Sequence, residues 1–81
     1  MKNIKHNMYI VEKSELFDCE FYNKNYSINE EDAMRHYLTE GWLQGFDPSE
    51  KFNTNNYLSK YKDIKLAGIN PLIHYIEHGK R

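Results

Sequence analysis

The chain has 81 residues, a formal net charge of −1, 40% hydrophobic residues and an aromatic content of 15%. That length makes one small domain and leaves too little chain for a deep enzymatic pocket. Lys and Arg are scattered rather than gathered into a stripe, which excludes a general nucleic-acid binder. The single cysteine, Cys19, has no partner for an intramolecular disulfide, in keeping with a reducing compartment.

Residues 1–5 are polar. From about His6 to Ser14 the apolar positions Met8, Ile10 and Val11 fit a short helix. Tyr9, Ile10 and Val11 also suit a strand. Helix is the expectation, because a lone strand would have no partner. The apolar run Met8–Val11 is too short for a signal-peptide core or a membrane span, so the protein is expected in the cytoplasm, away from membranes.

Asp18 is placed to cap a helix over about 19–27, with Phe21, Tyr22 and Tyr26 on its apolar side. Asp32 is placed to cap the next, about 33–40, with Met34, Tyr37 and Leu38 inward and Gly41 at its end. Glu30, Glu31 and Asp32 form a short acidic run that suits a helix N-terminus and lacks a calcium-loop pattern. Trp42 and Leu43 extend a further turn before Gly45-Phe46-Asp47-Pro48, and Pro48 marks a linker.

The second half carries the clearest punctuation. Asn53 follows Phe52 as an N-cap after an apolar residue, Tyr57, Leu58 and Tyr61 form a stripe, and Gly68 closes the segment. Asn70-Pro71 opens the last helix, since Pro at the first helical position loses no hydrogen bond, and Gly79 is its expected exit. Leu72, Tyr75 and Ile76 share one helical face.

Sliding the chain against itself gives an ordered series of matches. Phe17, Asp18, Tyr22 and Tyr26 match Phe52, Asn53, Tyr57 and Tyr61 at 35 positions, and His36-Tyr37 and Gly41 match His74-Tyr75 and Gly79 at 38. That period lies in the range of helical repeats. The expected fold is all-α: one domain, 1–81, of two degenerate helical-hairpin repeats, about 16–51 and about 52–81. It comprises four or five short helices, with 1–15 as a helical N-terminal extension. Each repeat should pack on the other, because neither can bury its face alone.

The pattern LFD…FY…Y…HYL..GW..G.DPS..F…YL..Y.D…AG.NPL.HY…G resembles a tandem repeat found beside glycosyltransferase domains in bacterial polysaccharide-biosynthesis proteins. The resemblance spans about residues 10–81 and departs from the family at Ala33 and Lys62, where a Pro is usual. It implies a non-catalytic accessory module, because the shared residues are structural.

Several groups have residue types suited to chemistry. His74 and His78 lie at i, i+4, with His36 and Glu40 at the matching positions, a set with metal-ligand residue types. The repeat motif explains His36 and His74 better as packing or hydrogen-bonding groups, and His78 suits a helix C-terminus. Cys19 in a first helical turn has no cysteine-enzyme signature around it. No phosphate loop, dinucleotide fingerprint or nucleophile elbow is present. The chain is therefore read as not an enzyme, with no catalytic, cofactor-binding or metal residues and no cofactor.

The regular Tyr positions read as core. Tyr9, Trp42 and Phe46 lie outside those stripes and are the candidate interaction residues. For Trp42 and Phe46, sealing the junction between repeats is the favoured role. The expected function is binding of another protein, with glycan as a second class of ligand and homodimerisation as a way to cover an open apolar face. The alternative is a stand-alone inhibitor of the kind phages and mobile elements encode, blocking a host protein such as a defence nuclease.

Overall fold

The computed structural model describes residues 4–28 and 33–79. Among them are six α-helices and no strand: α1 (Ile4–Ser14), α2 (Cys19–Tyr26), α3 (Ala33–Thr39), α4 (Thr54–Lys60), α5 (Lys62–Leu66) and α6 (Pro71–His74). A 3₁₀ turn, Gly41–Gln44, follows α3, and a π turn, Tyr75–Gly79, continues α6. The fold is all-α, and among the described residues no helix is long and apolar enough to cross a membrane.

The N-terminal segment is helix. Ile4, Met8 and Val11 recur at helical spacing, and Val11 is fully buried. The helix stops at Ser14, whose hydroxyl donates back to the Val11 carbonyl, while Glu15 turns the chain through a left-handed φ of 62°. α1 packs against both α3 and α6. It is thus a central element to which α3 and α6 both attach, a role that the label of extension understates.

Asx side chains start the helices as their spacing indicates. Asp18 accepts from the Phe21 N–H, and Asn53 accepts from the Asn56 N–H. Asn70 accepts from both Leu72 and Ile73 N–H, with Pro71 at the first helical position. Asp32 and the acidic pair Glu30 and Glu31 lie outside the described residues.

Two expectations need correction. The helical elements are more numerous than four or five, because the chain breaks at Tyr61, whose φ of −123° and ψ of 70° separate α4 from α5. Gly41 stands just beyond the end of α3, as expected, without a left-handed φ. It opens the 3₁₀ turn, and positive φ among the described glycines belongs to Gly45 and Gly68. Gly79 lies within the π turn instead of following a regular helix end.

The core joins Val11, Tyr22, Ala33, Tyr37, Leu38, Trp42, Phe52, Leu58, Ile64, Leu72 and Ile73. α2 packs on α3, and α4 on α6. The linker between these pairs is tied down by polar bonds. Thr54 Oγ1 donates to the Phe46 carbonyl at 2.6 Å. That uses its one proton, so the Tyr37 hydroxyl 2.8 Å away is the donor to Thr54. Asp47 accepts from the Thr54 N–H, and the Asp18 N–H donates to the Pro48 carbonyl. A fully buried Thr is tolerated here because each of its polar atoms has a partner.

Candidate interaction surfaces

Two sets of rings dominate the interior, and their geometries agree closely. Phe17 lies 5.4 Å from Tyr22, and Phe52 lies 5.3 Å from Tyr57. Tyr22 meets Tyr37 edge-on at 6.0 Å and 87°, and Tyr57 meets Tyr75 at 5.9 Å and 85°. Tyr22 Oη is hydrogen-bonded to His36 Nδ1 at 2.6 Å, and Tyr57 Oη to His74 Nδ1 at 2.7 Å. The buried Tyr22 hydroxyl is pushed well above its ordinary acidity range by desolvation first, then by Tyr26 and Glu40. Tyr57 is raised in the same direction, by burial, then by Tyr61 and Tyr75.

These bonds give His36 and His74 structural tasks. Each ring fills a place beside a Tyr and satisfies its hydroxyl. His78 stands 5.4 Å from His74, ring to ring, yet among the described residues no group of three or more His, Cys, Asp or Glu is gathered to hold a metal. Cys19 is an exposed free thiol on α2, with an Asn23 amide 3.5 Å away.

The three residues singled out from the sequence do not share a surface. Trp42 is only 5% exposed. It forms part of a cleft of about 240 Å³ with Ile4, Leu38, Ile69, Asn70 and Ile73. Phe46 is half-buried, lying flat on Tyr26 at 4.0 Å and 2°. Trp42 thus lines a cleft with residues of both repeats, whereas the Phe46 ring meets Tyr22, Tyr26 and His36, all of the first. Tyr9 is 59% exposed on α1, with the Lys13 ammonium 5.5 Å from its ring centre. It borders a groove of about 320 Å³ formed with Met8, Glu12, Phe17, Cys19 and Met34. Thioether side chains and an aromatic rim make an adaptable apolar surface.

The helical spacing predicts Tyr61 in the core, whereas it is 39% exposed. The helical stripe places it beside Tyr57, at 4.7 Å, but does not bury it.

No protein-family model matches the chain, and no curated protein and no solved structure matches it at a significant level.

Proposed function

We propose that the protein is a non-catalytic module that binds another protein through the α1 face around Tyr9. The observation that carries this reading is the exposure of Tyr9 beside the groove of Met8, Phe17 and Met34. A large ring left in solvent next to apolar side chains is the composition of an interface anchor. The histidines and tyrosines best suited to chemistry are instead engaged with one another in the ring sets.

The motif resemblance supports a cytoplasmic accessory role in polysaccharide biosynthesis, with a glycosyltransferase as the kind of partner to expect. Site-specific photo-crosslinking tests the binding reading. A photoreactive phenylalanine at position 9 is expected to capture one discrete protein in cells, whereas the same group at the exposed Lys65 captures none. Equal, diffuse labelling from both positions contradicts the reading.

A further inference from the structure

The two ring sets differ in one respect. In the first, Phe46 lies parallel on Tyr26 at 4.0 Å and also reaches Tyr22 and His36, at 6.1 and 6.2 Å. The next residue completes the contact, because the Asp47 N–H donates to Tyr26 Oη at 2.8 Å. Under this cover Tyr22 is fully buried. In the second set, among the described residues, no ring lies parallel on Tyr61. Tyr57 and His74 approach it at 42° and 45°. Tyr61 is 39% exposed, and the groove beside Tyr57 carries Lys51 and Lys60.

We propose that the open face of Tyr61, backed by Tyr57 and His74, binds an aromatic side chain presented by a partner polypeptide, in the way that Tyr26 binds Phe46. The first set displays the occupied form of the site. A phenylalanine stacks on the tyrosine, and the following backbone N–H meets the tyrosine hydroxyl. The site is separate from the Tyr9 groove, and the two stand or fall independently.

The probe is the heptapeptide Leu-Gln-Gly-Phe-Asp-Pro-Ser, the sequence of residues 43–49. Titrated into the purified protein, it is expected to shift the amide resonances of 57–62 and 74–78. Half-saturation is expected on the order of 1 mM, as for a single small contact. Replacing the peptide Phe by Ala should abolish the shifts. Tyr61→Ala in the protein should weaken binding by about tenfold, the scale of one aromatic contact. Tyr61→Leu, which keeps apolar bulk without a ring or hydroxyl, should weaken it similarly while preserving the folded spectrum. Absence of shifts at several-fold higher peptide overturns the proposal. So do shifts that map to the Tyr9 groove, shifts that persist with the Ala peptide, or shifts from neutral oligosaccharides where the peptide gives none.

Discussion

At the residue scale, Gly41 shows how a position can be constrained from far along the chain. A methyl group there would collide with the Tyr22 hydroxyl oxygen, with Tyr22 Cζ 3.2 Å and His36 Nδ1 3.4 Å away. The glycine is needed because the Tyr22–His36 bond is built against its Cα, and its φ is not the reason. Gly41→Ala is expected to cost about 1–3 kcal/mol, as overpacking does. Thermal melting should show a drop of about 4–8 °C per kcal/mol for a domain of this size. An unchanged melting temperature would contradict the packing described. The buried tyrosines also set a pH limit. The Tyr22 and Tyr37 hydroxyls are raised above the ordinary value of 10.0, in both cases chiefly by desolvation, while the Thr54 bond pulls Tyr37 partly back. The unfolded chain therefore loses these protons first. Their stabilising effect is complete below pH 10.0 and declines as pH rises toward the folded-state values. Alkaline denaturant titrations should show the unfolding midpoint constant below that pH and falling above it, with tyrosinate absorbance rising together with unfolding.

At the element scale, the Asx-capped helix starts and the ends of α2 and α3 were legible in the sequence, whereas the division of α4 from α5 and the π turn were not. An N-cap is a local device. Asp18, Asn53 and Asn70 each bond an N–H two or three residues on, so residue type and position sufficed to find them. No Gly or Pro marks the break at Tyr61, and the π turn Tyr75–Gly79 carries its Gly at the end and not at the start. Cap energetics should follow burial. Asn70 bonds two N–H groups in a buried setting, whereas Asn53 bonds one at the surface. Asn70→Ala is expected to cost about 1–2 kcal/mol and Asn53→Ala about 0.5–1 kcal/mol, by denaturant unfolding. Equal losses would argue against the second bond and the burial as the source of the difference.

At the scale of the whole molecule, α1 connects what the repeat pattern separates. It packs on α3 and on α6, while Thr54, Tyr37 and the Phe46 carbonyl tie the linker between the hairpins. The apolar positions of α1 were visible in the sequence, but its partners were not, because spacing reveals a face and not what covers it. The same holds for the candidate surfaces. Trp42, Phe46 and Tyr9 look alike as unassigned aromatics in the sequence, and the fold divides them: Trp42 borders the α3–α6 cleft, Phe46 covers Tyr26, and Tyr9 remains in solvent. The proposed protein-binding role rests on that last placement. Its most direct test is quantitative affinity capture from a lysate of the encoding organism, using the wild-type chain beside a folded Tyr9→Glu variant. The expected result is one stoichiometric protein partner retained by the wild type and lost with the variant. Retention of background alone, or of the same protein equally by both chains, would contradict binding through the Tyr9 face.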